Sequence, residues 1–229
     1  MKVCKVIVTS LTPRKRGGAN NYPSHSQEYE VEDIISMVKS SIEMDKKYNP
    51  GVDLDTIIVN NNAGDIKANK SLKELQDDKI FIVKRPNNGG SFAAYIDIFL
   101  KYKNKYDYFI FTEDDILIGG SDNYCINLIN KLESSPEIGF IALVGISYSG
   151  YPKHAHGGVG IVSSSTLKKV YKSNPFLYEG WDRNKSIGHE IQFTNNILDK
   201  TGLDVVYLGT DEWNLEKNYC INYSNYKEN

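Results

Sequence analysis

The sequence predicts an α/β fold, with a mainly parallel central sheet covered by helices on both faces. Two observations carry this prediction. Short apolar runs rich in β-branched residues alternate with stretches whose apolar residues recur at helical spacing. In the first half, the runs also end in clusters of Asn, Gly and acidic residues. In parallel sheets, ligands bind outside the carboxyl ends of the strands. Three polar ends on one edge therefore predict a crevice of nucleotide size.

The elements follow in order. Lys2–Thr9, with Val3, Val6, Ile7 and Val8, reads as a strand. Residues 11–26 carry Pro, Gly, Asn and Ser and read as a long loop. Val31, Ile34, Ile35, Val38 and Ile42 then fall on one helical face. Residues 55–59 form a second strand, ending in Asn60-Asn61-Asn62-Ala63-Gly64-Asp65. Residues 79–84 form a third, ending in Arg85-Pro86-Asn87-Asn88-Gly89-Gly90. A helix over 91–103 buries Phe92, Tyr95, Ile96 and Phe99, and a fourth strand over 106–112 ends in Glu113-Asp114-Asp115. Beyond these come a helix over 122–134, a strand over 138–144 and a Gly-, Tyr- and His-rich loop over 144–158. Helices over 163–171 and 187–201 and a strand over 204–208 complete the chain. No repeat or linker divides it, so the 229 residues read as one domain.

Composition narrows the function classes. A formal net charge of −2 argues against a nucleic-acid binder, which needs a basic excess. Cys4, Cys125 and Cys220 are odd in number and widely spaced. Neither a disulfide framework nor a structural zinc site is expected, and a reducing, cytoplasmic compartment fits. Cys4 and Cys125 lie in apolar patterns and read as small core residues. No apolar run is long enough to span a bilayer, and the first ten residues lack the apolar stretch of a secretory leader. Peripheral attachment to a membrane stays compatible with these features.

The chemistry centres on Glu113-Asp114-Asp115. Adjacent carboxylates repel, and a hard divalent cation such as Mn²⁺ or Mg²⁺ relieves this with oxygen ligands and substrate phosphates. If the segment is extended, Glu113 and Asp115 share a face and Asp114 points elsewhere. The alternative is a solvated acidic turn.

The ordered set of strand ends resembles the GT-A glycosyltransferases, particularly their family 2-like branch, over about the first 120 residues. The matching stretches are Ile57 to Asp65, Asn87-Asn88-Gly89-Gly90-Ser91, and Asp107 to Asp115. The resemblance implies a Rossmann-like three-layer α/β/α domain. Its donor half would cover residues 1 to about 120, and its acceptor and catalytic-base half about 121–229. Thr9, Leu11 and Thr12 would border the nucleobase, and Asn60 and Asp65 would lie near base and ribose. Asn88 and Gly89 would admit the nucleoside, and Arg85 would contact the base or a phosphate. Asp115 would be the main metal ligand, with Glu113 acting directly or through water and Asp114 counted with the donor site. Two departures stand out: Asn60 replaces an acid common after the second strand, and Glu113 replaces the usual first Asp.

In the second half, Trp181 to Glu190 resembles the place where these enzymes carry an acidic base at a helix start. Glu190 is the first choice as base and Asp182 the second; otherwise Glu190 is a first-turn acid favoured by the helix dipole. His154 and His156 are candidates to complete the metal shell or bond a phosphate, or else polar surface. Gly157-Gly158-Val159-Gly160 resembles the Gly-rich segment beside the donor sugar, and His189 would stand near metal or acceptor. Tyr148, Tyr151, Tyr178 and Trp181 would form an acceptor platform or simply pack. Arg14-Lys15-Arg16 would close over a diphosphate or form a solvated turn. The resemblance thus implies an inverting, metal-dependent transferase using a nucleotide-sugar donor, UDP-linked by expectation, and a glycan acceptor. The competing readings are a sugar nucleotidyltransferase and a non-catalytic nucleotide- or glycan-binding module.

Overall fold

The computed structural model describes residues 1–16, 27–61, 66–147, 150–177, 183–209 and 219–222. An inner strand of the sheet, β1 (Lys2–Thr9), pairs in parallel with β4 (Asp53–Asn60) on one side and β6 (Tyr108–Glu113) on the other. Alternation along β1 sets the layers. Val3 and Ile7 face α1 (Val31–Lys47) and α4 (Tyr124–Glu133). Cys4, Val6 and Val8 face α3 (Gly90–Tyr102), α5 (Ser164–Val170) and α6 (Arg183–Thr201). The result is a three-layer α/β/α arrangement in which both Cys4 and Cys125 are buried and free.

The expected strands and helices appear within a few residues of their predicted bounds, and the structure adds others. β5 (Ile80–Lys84) flanks β4. On the far side the order runs β6, then β10 (Gly160–Ser163), β8 (Ile138–Ile146) and β11 (Asp204–Gly209). β10 is antiparallel to both β6 and β8. It lies mostly in residues 159–162, between the expected loop and helix, to which the sequence reading gives no element, because four residues show no periodicity. β2 (Arg14–Arg16) and β3 (Gln27–Tyr29) form a hairpin within and just beyond the expected long loop. α2 (Ile66–Lys73) lies in a stretch to which the sequence reading gives no element. β7 (Ile116–Ile118) follows the acidic cluster and pairs with β12 (Cys220–Asn222).

One buried charge sits in the centre of β1. Lys5 is fully buried, and its Nζ lies 3.0 Å from Asp45 on α1 and 3.2 Å from the Ile118 carbonyl. The Tyr124 hydroxyl donates to the same carboxylate at 2.7 Å. Burial raises the Asp45 pKa, while Lys5 and Tyr124 act to lower it. A buried ion pair holds when further hydrogen bonds satisfy its remaining groups, and here those groups come from β1, α1, β7 and α4 together.

The topology brings the polar ends together. β1, β4, β5 and β6 all run the same way, with Thr9 opposite Asn60, Asn60 opposite Lys84 and Val8 opposite Glu113. From the end of β8, the chain returns through β9 (His154–Ala155), which pairs antiparallel with it. It then enters β10 at Gly160, opposite Phe111. Residues 154–158 are thereby delivered beside Glu113.

Candidate active site at the carboxyl edge of the sheet

Glu113 ends β6, and Asp114 and Asp115 form a tight turn between β6 and β7 in place of a continued extended strand. The Thr112 hydroxyl closes that turn by donating to the Ile116 carbonyl at 2.7 Å. Asp114 turns inward, where it accepts a hydrogen bond from the Thr9 hydroxyl at 2.6 Å. Glu113 accepts from the Ser91 hydroxyl at 2.6 Å, and Asp115 is buried beside it. Burial raises the Glu113 pKa to about 7. The nearby Asp115 charge adds to the rise, and Ser91 and His156 oppose it. This electrostatic tension is the one the sequence predicts for clustered carboxylates.

The base candidate arrives from the other half. Glu190 lies on α6 and is 6% exposed. Its Oε2 sits 3.3 Å from His154 Nε2 and 3.4 Å from His156 Nδ1. Burial alone would raise the Glu190 pKa, but the two imidazoles outweigh it and hold the group at about 2. His154 is fully buried, and its Nδ1 lies 2.7 Å from the Pro152 carbonyl. Burial acts to lower the His154 pKa, yet Glu190 and that carbonyl raise it above the usual imidazole value. Thr194 fastens the arrangement, since its hydroxyl donates to the Glu190 carbonyl at 3.0 Å and accepts the Ala155 N–H at 3.1 Å.

Tyr95 marks where the two halves meet. Its ring stacks on Phe111 at 4.6 Å, and its hydroxyl is buried. Burial raises its pKa well above the ordinary value, and the charges of Glu113, Asp115, Asp114 and Glu190 raise it further. The acids after β6 and the acid of α6 thus act electrostatically on one phenol, whose hydroxyl bonds to none of them. Gly157, at φ +58°, closes the gap, since an added Cβ would lie 3.1 Å from Glu113 Oε2. Sequence reading gives Tyr95 only a core role and leaves Ser91 without one. The available signal was their spacing of four on α3, which puts both hydroxyls on one helical face.

The remaining candidates are placed as follows. Leu11 is 3% exposed and packs in the core on the α1 side, whereas Thr12 is exposed. Asn60 is fully buried and donates to Asn69 at 2.7 Å. Asn88 is exposed at the rim, and Gly89 is buried at φ +79°. Arg85 directs its guanidinium into the protein, toward Asn61 and Asp97. His189 packs against Phe176 at 5.0 Å between ring centroids. Tyr151 is 51% exposed. Asp65, Tyr148, Tyr178, Trp181 and Asp182 lie outside the described residues. The backbone of residues 14–16 belongs to the β2–β3 hairpin. Among the described residues no group of three or more His, Cys, Asp or Glu is arranged to hold a metal ion, and no helix is long and apolar enough to cross a membrane.

No protein-family model and no curated protein sequence matches the chain. Solved structures do match in fold. TarS from S. aureus aligns at TM-score 0.54 and 11% identity, over 96% of this chain and 36% of that one. The TarS 1–349 structure in complex with UDP aligns at 0.53 and 12%, over 96% of this chain and 60% of that one. A Bacillus anthracis protein assigned as a glucose-1-phosphate thymidylyltransferase, in complex with sucrose, aligns at 0.50 and 10%, covering 90% and 87% of the two chains. The chain therefore spans 36% of TarS and 60% of its 1–349 portion.

Proposed function

We propose that this chain, whose fold is that of the nucleotide-diphospho-sugar transferases, is a glycosyltransferase moving a sugar from a nucleotide-diphosphate donor to a glycan hydroxyl. A UDP-linked donor is the favoured choice, since the TarS 1–349 portion has been crystallised with UDP and with UDP-GlcNAc. The observation that carries the reading is that one segment lies against both acids: His156 Nδ1 is 3.4 Å from Glu190 Oε2, and an added Cβ at Gly157 would lie 3.1 Å from Glu113 Oε2, with Asp115 buried two residues on.

The donor's nucleoside would lie over the ends of β1, β4 and β5, with its diphosphate toward the turn after β6. Asp115, with Glu113, would hold Mn²⁺ or Mg²⁺. The donor set fits, because such cations take one or two carboxylates and complete their shell with phosphate and water. That need is compatible with the absence of a three-residue protein cluster among the described residues. When bound, the cation supplies Lewis-acid neutralisation of the leaving diphosphate.

Glu190 would accept the proton of the attacking hydroxyl. The imidazoles keep it ionised at neutral pH, the state a base requires. They also lower its proton affinity, so transfer would come late, once bond formation has made the acceptor oxygen acidic. His154 and His156 hold the carboxylate in place, and Thr194 bonds the Glu190 backbone carbonyl. With Glu190 as base, the reading is a single displacement with inversion, which proton NMR of the product's anomeric centre tests.

Titrating UDP with and without Mn²⁺ into the wild type and Asp115→Ala tests the donor site. Metal-enhanced UDP binding that the substitution abolishes is expected; equal affinity in all four conditions would sink the proposal. Glu190→Gln should reduce donor hydrolysis by about 10²–10⁴-fold while leaving UDP affinity intact. Diphosphate release from a nucleoside triphosphate and a sugar phosphate would favour a nucleotidyltransferase instead.

A further inference from the structure

We infer that Arg85 is a positioning residue, the centre of an internal strut that ties the nucleoside-facing loops to the segment leading into α6, and not a ligand for base or phosphate. The inference rests on the nucleotide-binding reading above and assigns Arg85 a different task within it.

Every nitrogen of the guanidinium is engaged inside the protein. Nε donates to Asp97 Oδ2 at 3.1 Å, and Nη2 lies 3.1 Å from the same oxygen. Nη2 also donates to the Asn88 carbonyl at 2.9 Å. Nη1 donates to Asn61 Oδ1 at 2.7 Å and reaches the Gly90 carbonyl at 3.5 Å. Asn61 returns a bond from its own amide to the Gly90 carbonyl at 3.1 Å. One side chain of 9% exposure thus holds the end of β4, the turn after β5 and the start of α3.

The strut continues past Asp97. Its second oxygen accepts from Asn174 Nδ2 at 2.9 Å, and that same amide donates to the Ala93 carbonyl at 2.7 Å. Asn174 Oδ1 accepts the Phe176 N–H at 2.9 Å. The Phe176 carbonyl then presses on Gly89, where an added Cβ would stand 1.8 Å from its oxygen. The Phe176 ring meets His189, the neighbour of Glu190 in sequence. Charge-assisted and neutral hydrogen bonds therefore run from Asn61 to Phe176, and a ring contact carries the connection on to α6. Because an arginine fork is planar and rigid, it transmits position as well as charge.

The experiment compares uridine and UDP binding by calorimetry for the wild type, Arg85→Lys, Asn174→Ala and the double variant. Urea unfolding of the same four proteins runs in parallel. Lys keeps the charge but cannot span Asn61, Asn88 and Asp97 together. Each single change is expected to weaken uridine and UDP by a common factor, about 10-fold, and the double variant should be no weaker than the worse single. A residue with only a structural role would shift the urea midpoint and leave the affinity of the folded protein unchanged. A loss in Arg85→Lys confined to UDP, with Asn174→Ala binding like wild type, would overturn the inference in favour of direct phosphate contact. Additive losses would overturn it as well. If the wild type binds neither ligand, the nucleotide-sugar reading fails with it, and coupling of the two sites in unfolding would show the strut to be architecture alone.

Discussion

Glu113 sets the residue-scale electrostatics. In the folded protein its carboxyl titrates at about 7, against an ordinary 4.5. Between those values the native state holds a proton that the unfolded chain has released, so Glu113 costs stability progressively as pH rises through that window. Glu113→Gln removes the cost. In metal-free buffer the variant should melt above the wild type at pH 8 by a few degrees, for a gain of about 1–2 kcal/mol, and the gap should close near pH 4.5. A constant offset at both pH values would show that packing, not charge, decides it. Glu190 has the opposite sign: its pKa of about 2 means that its contribution is present above 4.5 and is lost as pH falls toward 2. The acids themselves were legible in the sequence, because a carboxylate run after an apolar strand is a local pattern. The inward turn of Asp114 toward Thr9 was not, because a strand of unknown end gives no direction for the residue beyond it.

Among the elements, the strands buried on both faces announce themselves, as β1, β4 and β6 do with runs such as Tyr108-Phe109-Ile110-Phe111. β7 and β10, of three and four residues, carry too few positions for any period to show. Yet β10 is what places His154 to Gly158 beside Glu113, so the meeting of the two halves could not be read from spacing. Gly160, at its start, has neighbours on both sides. An added Cβ would stand 2.2 Å from the Ile141 carbonyl and 2.6 Å from the Phe140 ring. Gly160→Ala should therefore lower stability by about 3 kcal/mol or more, as forced overpacking against backbone does. Gly188, inside α6, has nothing within 4 Å of an added Cβ. Gly188→Ala should gain about 0.5–1 kcal/mol from helix propensity. Urea midpoints check both: a rise for Gly160→Ala or a fall for Gly188→Ala would contradict the corresponding statement.

At the scale of the molecule, the two halves of the chain share one sheet. β6 bonds to β1 on one side and to β10 on the other, and β10 in turn bonds to β8. The Lys5–Asp45–Tyr124 cluster joins β1 and α1 to α4, and Lys5 reaches β7 through the Ile118 carbonyl. Phe111 stacks on Tyr95 from α3 and meets Phe193 from α6. A cut near residue 120 would leave the β6 edge unpaired and strip α6 and its Phe193 from the core packed around Phe111. Exposed apolar strand edges template aggregation. The 1–120 fragment should therefore fail to give a soluble folded species, and the full chain should unfold in a single transition. The check is coincidence of far-UV and near-UV circular dichroism melts, with calorimetric and van't Hoff enthalpies equal. Two resolved transitions, or a fragment with dispersed amide resonances, would mean that the halves fold on their own and that the crevice forms by docking. The Arg85 strut would then be an interface between two bodies, and its loss would separate them before either unfolds. In one cooperative body the same loss lowers the common midpoint, so the shape of the Arg85→Lys melt distinguishes the two cases.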